Sequence, residues 1–493
     1  MVVRVKSGGI WGIEGFPVEV EVDISQGLPS FSVVGLPDNA VKEARERVRS
    51  AIKNSGFSFP LKRITVNLSP SDIKKQGTFY DLPMAIGILS AIGVVNPKDF
   101  VILGELSLDG KVKRVSGILP ILISLKKQGF KRFIIPYSNL EESSLVSGIE
   151  LYGVRSLKET VDFLNGKLSI TPQRGNLSLR EEEFSIDLRD VKGQELAKRA
   201  LEICAAGFHH LLFVGSAGAG KSMLAKRVIT IAPPLDYEEF LEVAQIYSVA
   251  GKPREPVATR PFQSPHHTSS EVALVGGGNP PKPGAVSLAH KGFLLLDEIA
   301  EFPRKSLEAL RQPLEDGVVH ISRASSFAVF PAEFTLIGTM NPCPCGNYKN
   351  PYKVCTCSER EIKNYNNKLS EPIKDRIELK VWLYPLDEEE LIKLPESESS
   401  EEVRKRVIRA YEIQKERGKV NSRLTNAEVE KFVLELMDKE AKDIVREAVR
   451  SLKLSARSYY KLLKVVRTIA DLEGSESIRD YHVAEALQFV IEV

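Results

Sequence analysis

The residues from Leu211 to Val228, LLFVGSAGAGKSMLAKRV, set Gly215, Gly220, Lys221 and Ser222 in the spacing G-x-x-x-x-G-K-S, between an apolar strand-like run and a helical pattern. Such a loop holds phosphate. Glycines let successive backbone N–H groups turn inward, and the helix that follows presents its positive end. Gly215, Ser216, Ala217, Gly218, Ala219 and Gly220 would form the cradle, with Lys221 on the β- and γ-phosphates of ATP and Ser222 on Mg²⁺. The alternative is a glycine-rich turn of purely structural use. Strand, loop, lysine, hydroxyl and helix in that order argue against it.

Nucleotide hydrolysis also needs carboxylates, and GFLLLDEIAEF supplies Asp297 and Glu298 at the end of an apolar run. Asp297 would hold Mg²⁺ through water and Glu298 would polarise the attacking water. A further strand, FTLIGTMN, ends in Asn341, whose amide could orient that water or sense the γ-phosphate; a turn-forming Asn before Pro342 is the plainer alternative. Immediately beyond it, MNPCPCGNYKNPYKVCTC holds four of the five cysteines. Cys343, Cys345, Cys355 and Cys357 form two C-x-C arms, a pattern that fits structural Zn²⁺ with no ligand position left open. Four free thiols in a reduced loop, or an iron–sulfur cluster, are the other readings. His266 and His267 in SPHHTSS lack an acidic partner at helical spacing and read as loop-structural or substrate-gating residues rather than metal ligands.

These groups need a scaffold. The chain has 493 residues, 43% of them hydrophobic and 27% charged, with a net charge of +3, so about three ordinary globular domains are expected and charge alone points to no partner. No apolar run approaches the length of a membrane span, and the amino terminus lacks a signal-peptide core, so a cytoplasmic protein is expected; Leu82 to Val95 reads as a buried helix. Residues 1–165 mix strands (Val18 to Ile24, Arg63 to Leu68) with helices (Asn39 to Asn54), the pattern of an α/β domain. Residues 166–184 read as a linker. Over 185–385, strands Leu211 to Val214, Phe293 to Leu296 and Phe334 to Thr339 alternate with helices, the signature of a parallel α/β sheet. Residues 386–493 read as a small helical domain.

With phosphate loop, acids and Asn341 in this order, the chain resembles an AAA+ ATPase. The stretches RPFQSPHHTSSEVALVGGGNPPKPGAVSLAHKGFLLLDE, LRQPLEDGVVHISRA, TMNPCPCG and LSARSYYKLLKVVRTIADLEG narrow the resemblance to the magnesium-chelatase-like ComM/YifB family. The match is essentially full length. That family's members are hexameric helicases that promote DNA branch migration in natural transformation and recombination, so the resemblance implies a homo-hexamer acting on branched or double-stranded DNA, with ATP and Mg²⁺ as cofactors and no membrane partner. Ser216 and Ala217 stand where the family usually has two prolines, and Ala285 where it often has glutamate; none of these removes a phosphate or metal contact. The resemblance further implies that Arg376, in SEPIKDRIEL, is an arginine finger reaching the neighbouring subunit's γ-phosphate, and that Arg457, in LSARSYY, is the second sensor. Surface ion pairing is the commoner fate of an arginine.

Residues 1–165 also resemble the peptidase-like domain of Lon and RadA, through KQGTFYDLPMAIGILSA and GELSLDGKVKRVSGILPIL. Phe79 falls where the serine nucleophile should be and Leu119 where the lysine base should be, so a scaffold or DNA-facing platform without peptidase activity is expected. For DNA contact, Arg323 in HISRASS lies between two strand-like runs that could form a hairpin projecting into a ring's pore, with Lys282 and Lys291 in nearby loops; solvated surface charge explains all three equally. The rival to a DNA motor is a magnesium-chelatase-type ATPase that remodels a protein partner.

Overall fold

The computed structural model describes residues 2–175, 178–323, 326–387, 394–395 and 397–490, with the side chains of Arg323 and Ser326 outside the description. Alternation builds the first sheet: in Glu14–Ser25, Val18, Val20 and Val22 face the core while Glu19 and Glu21 face outward. This strand pairs antiparallel with Val3–Trp11 and with Arg63–Ser69, at the centre of an eight-stranded mixed sheet. Helix Asn39–Asn54 has the range the sequence suggested. Asp38 caps it by accepting the Val41 N–H at 2.8 Å, and Val41, Ala44, Val48, Ala51 and Ile52 are buried at helical spacing. The apolar run expected to be a buried helix is one over Asp81–Ala91, nine of its residues buried, and it stops before Gly93. Phe79 and Leu119 are both buried in this first core.

The second sheet has five strands, all parallel, in the order Phe262–Gln263, Phe293–Leu296, Thr335–Met340, Leu211–Gly215, Leu379–Leu383. Three were expected from sequence; Phe262–Gln263 and Leu379–Leu383 were not singled out. The strands are apolar on both faces because both are covered. Leu211, Phe213, Phe293 and Leu295 join one core with Val403, Val407, Leu462, Val466 and Ile469 of the carboxy-terminal helices, whereas Leu212, Leu294, Leu296 and Leu336 join another with Leu307, Phe330 and Ile373. Helices Ser400–Glu416, Lys439–Ser451, Ala456–Leu472 and Asp480–Val490 thus form a lid over one face of the sheet.

One helix crosses the expected organisation. Tyr237–Val249 follows the phosphate loop in sequence, yet Phe240, Val243 and Ala244 pack into the first core. The Gly117 N–H donates to the Ser248 carbonyl at 2.9 Å, and the Leu119 N–H to Ser248 Oγ at 3.3 Å. The first sheet is thereby fastened to the second. Among the described residues, no helix is long and apolar enough to cross a membrane.

Candidate nucleotide-binding site

Strand Leu211–Gly215 delivers the phosphate loop at the carboxyl edge of the parallel sheet, where ligands of open α/β sheets bind. Gly215 has no room for a side chain: a Cβ there would lie 2.3 Å from the Leu383 carbonyl oxygen. Gly220 sits at φ +87° directly before helix Lys221–Lys226, a conformation that favours glycine. Lys221 is buried, and its Nζ donates to the carbonyls of Gly215 at 2.6 Å and Ser216 at 2.8 Å, and to Asn341 Oδ1 at 3.2 Å. Burial pulls its ammonium below the usual lysine range, against the opposing pull of Asp297 and Glu298.

Asp297 Oδ1 accepts two hydroxyls, Ser222 Oγ at 2.5 Å and Thr339 Oγ1 at 2.5 Å. A hydroxyl and a carboxylate already in register are what a small divalent cation needs from the protein in a phosphate-loop site. Ser216 Oγ, in the same phosphate loop, is buried without a hydrogen-bond partner among the described residues, leaving a polar atom free for a ligand. Glu298 is exposed and adopts φ +53°, its N–H donating to Thr339 Oγ1 at 2.9 Å. A non-glycine residue held there is the kind of local strain that marks functional positions. Thr339 was missed by sequence reasoning. The available signal was a hydroxyl inside an apolar strand, two positions before Asn341.

Arg376 and Arg457 lie elsewhere. Leu379 pairs with Leu211 and Leu383 with Gly215, so Arg376, three residues before Leu379, belongs to the amino edge of the sheet. Both arginines line one cavity of about 550 Å³, together with His210, Glu378, Arg423 and Lys461. Arg376 Nη1 donates to the Pro372 carbonyl at 2.6 Å, Nη2 pairs with Glu315, and Nε is buried without a partner among the described residues. Burial pushes the Glu378 carboxyl up to about 7 and the Lys461 ammonium down to about 8. The cavity is rich in cations and suited to an anion.

The four cysteines gather beside the phosphate loop. Their sulfurs all lie within 4.8 Å of one another, with Cys343–Cys345 at 3.4 Å, Cys345–Cys355 at 3.6 Å and Cys343–Cys355 at 3.7 Å. Tetrahedral thiolates around Zn²⁺ have edges of about 3.8 Å, given Zn–S bonds of about 2.3 Å. The Tyr348 and Cys345 N–H groups point at Cys343 Sγ and Cys357 Sγ, the hydrogen bonding that supports thiolate ligands. The cluster could hold a metal ion. His266 instead bonds Thr268 at 2.9 Å. Arg323 ends strand Val318–Arg323, paired with Ser326–Pro331 in the expected hairpin; its side chain, and residues 324–325, lie outside the description. Lys291 is ion-paired with Glu333 at 2.6 Å.

A five-stranded parallel sheet with this phosphate loop, acid pair and helical lid defines a magnesium-chelatase-like AAA+ ATPase. The family described as magnesium chelatase, subunit ChlI, matches residues 187–391; subunit ChlI of Mg-chelatase matches 20–139; and the ChlI carboxy-terminal family matches 397–490. The chain is 43% identical over 489 residues to competence protein ComM of Haemophilus influenzae, covering 97% of this chain and 95% of that one. It is 42% identical over 486 residues to YifB of Salmonella typhimurium, covering 97% and 95%. It is also 29% identical over 161 residues to Lon protease 2 of Bacillus subtilis, 29% of each chain. The chain belongs to the ComM/YifB family.

Proposed function

We propose that this chain is the subunit of a homo-hexameric, ATP-driven DNA motor that moves branch points. The observation that carries the motor reading is the separation of Lys221 and Asp297 from Arg376 and Arg457, on opposite edges of one sheet. A complete site then needs two copies, one lending the cradle and acids, the next lending guanidinium groups. The DNA reading is supported by near full-length similarity to a competence protein.

In this reading the cradle from Gly215 to Ser222 binds the triphosphate, and Lys221 turns from its own loop carbonyls to the β- and γ-phosphates. Ser222 and Asp297 hold Mg²⁺, which supplies charge neutralisation on the phosphates. Glu298 accepts the proton of the attacking water, Asn341 orients that water, and ADP and phosphate leave. Arg376 of the neighbour stabilises the charge on the transferred group, a contribution worth roughly 10³–10⁵ in turnover. Arg457 acts from the same neighbouring face. The cysteine cluster holds structural Zn²⁺, and the hairpin carrying Arg323 contacts DNA. Residues 1–165, 166–184, 185–385 and 386–493 serve as platform, linker, motor core and lid.

One observation favours a second reading, that the ATPase remodels a protein partner: all three family matches are to chelatase subunits. ATP turnover with and without four-way-junction DNA, beside strand exchange by wild type and Lys221→Ala, separates the two. DNA-stimulated turnover with branch migration, lost in Lys221→Ala, is expected; ATP turnover without either contradicts the DNA reading.

A further inference from the structure

Both ends of the cysteine loop converge on Asn341. The loop starts two residues after it, at the fully buried Cys343. It ends at Ser358, which caps helix Glu359–Asn366 in a capping box; Tyr365 of that helix lies buried between the Asn341 backbone and Glu301. Asn341 in turn receives Lys221 at 3.2 Å. Between the two C-x-C arms, Gly346 turns at φ +77°, and the direction of its missing side chain points at the phosphate loop, 3.9 Å from the Ala217 nitrogen. The loop is therefore an outer wall of the nucleotide pocket.

It has little else to fold around. Val354 is 87% exposed and Tyr352 53%, so the loop tip buries almost no apolar surface, and cross-linking through the sulfurs is what can fix it. Its charge suits a place beside phosphates. A divalent ion with four thiolates carries two negative charges, and residues 343–357 contain no Asp or Glu but two lysines, Lys349 and Lys353, which offset them. Loading the ion orders the wall without adding net repulsion toward a triphosphate.

We propose that Zn²⁺ in the cysteine cluster braces the phosphate loop and Asn341, so that metal occupancy and nucleotide affinity are thermodynamically linked. The linkage rests on the reading of both sites given above and adds a regulatory role to the metal. Because coupling between binding sites is reciprocal, nucleotide must tighten Zn²⁺ by the same factor that Zn²⁺ tightens nucleotide.

The test uses the full chain. A fluorescent ATP analogue is titrated into Zn²⁺-loaded wild type, chelator-stripped wild type, stripped wild type reloaded with Zn²⁺, and Cys355→Ser/Cys357→Ser, with Zn²⁺ affinity measured by chromophoric-chelator competition with and without ATP. Roughly tenfold weaker nucleotide binding on stripping, recovery on reloading, and an equal gain in Zn²⁺ affinity with ATP are expected. Loaded and stripped chains that bind nucleotide equally overturn the linkage. Loaded wild type that binds no nucleotide overturns the ATP-site reading itself, and a chain that takes up no Zn²⁺ overturns the metal assignment.

Discussion

Arg376 and Lys221 stand at opposite ends of the same parallel sheet: the strand that leads to Lys221 begins at Leu211, and Leu211 is paired with the strand that Arg376 precedes. Five residues at about 3.3 Å each separate the two edges by roughly 16 Å, beyond the reach of an arginine side chain to its own phosphate loop. Arg376 rests meanwhile on Glu315 and Pro372, and Lys221 on the carbonyls of Gly215 and Ser216. Each half of the proposed site is partly satisfied internally, with Ser216 Oγ on one side and Arg376 Nε on the other left without a partner among the described residues.

Thr339 shares Asp297 with Ser222 and receives the N–H of the left-handed Glu298. Thr339→Val keeps the shape and removes both bonds. Turnover is expected to fall roughly 10–100-fold, the usual cost of losing a partner that orients a metal-handling carboxylate, with a raised Mg²⁺ requirement and nucleotide binding retained. A Mg²⁺ titration of ATPase rate checks this; an unchanged Mg²⁺ requirement contradicts it.

Asp471 is fully buried between two arginines. It accepts from Arg467 Nε at 3.0 Å, from Asn421 Nδ2 at 2.8 Å and from Arg417 Nη2. Asp471→Ala leaves buried guanidinium groups uncompensated and should cost about 3–5 kcal/mol, whereas breaking the solvent-screened exposed pair Lys405–Glu401 by Glu401→Ala should cost far less. Urea unfolding of both variants distinguishes them, and equal costs would refute the ranking.

Glu378 faces Lys461, Lys464, Arg423 and Arg376 across the cationic cavity, and its carboxylate accepts the His210 N–H at 2.8 Å. Burial still dominates and pushes its carboxyl from 4.5 up to about 7. The folded chain therefore keeps a proton that the unfolded chain releases, and this group's contribution to stability falls as pH rises from about 4.5 to about 7. Lys461, lowered from 10.5 to about 8, acts in the other direction: its contribution rises with pH between about 8 and 10.5. Glu378→Gln can still accept from His210, and should lose less stability than wild type between pH 5 and 7, the difference being at most about 1.4 kcal/mol per pH unit. Parallel stability–pH curves for variant and wild type would contradict this.

Much of this was legible in the sequence because a few residue types are forced. Four apolar residues before Asp297, and the glycine–lysine–hydroxyl run after Val214, leave little choice of backbone. Arg376 and Arg457 could be named only by resemblance, since their convergence depends on how the lid packs on the sheet. Strand Phe262–Gln263 is too short for any alternation to register. Helix Tyr237–Val249 announces a buried face, but amphipathic spacing does not say which core receives it; Phe240 and Val243 go to the first sheet. Thr339 was hidden because its importance lies in meeting Asp297 from a neighbouring strand.

The hairpin Val318–Arg323 with Ser326–Pro331 packs Val319, Ile321 and Phe330 into the core that also holds Leu294 and Leu296. Arg323→Ala should lower DNA-stimulated ATP turnover severalfold, and reduce the salt dependence of DNA binding, while basal turnover is unchanged. Equal stimulation of variant and wild type would retire the hairpin as a DNA contact.

The shared site is tested most directly by mixing two dead proteins. Lys221→Ala loses the cradle but keeps Arg376; Arg376→Ala keeps the cradle but lends no guanidinium. Each alone should turn over ATP at roughly 10⁻³ of the wild-type rate or less. Co-assembled in equal amounts, they should recover a substantial fraction of wild-type turnover, because some junctions then pair an intact cradle with an intact arginine. Mixed particles as inactive as either variant alone would contradict the account.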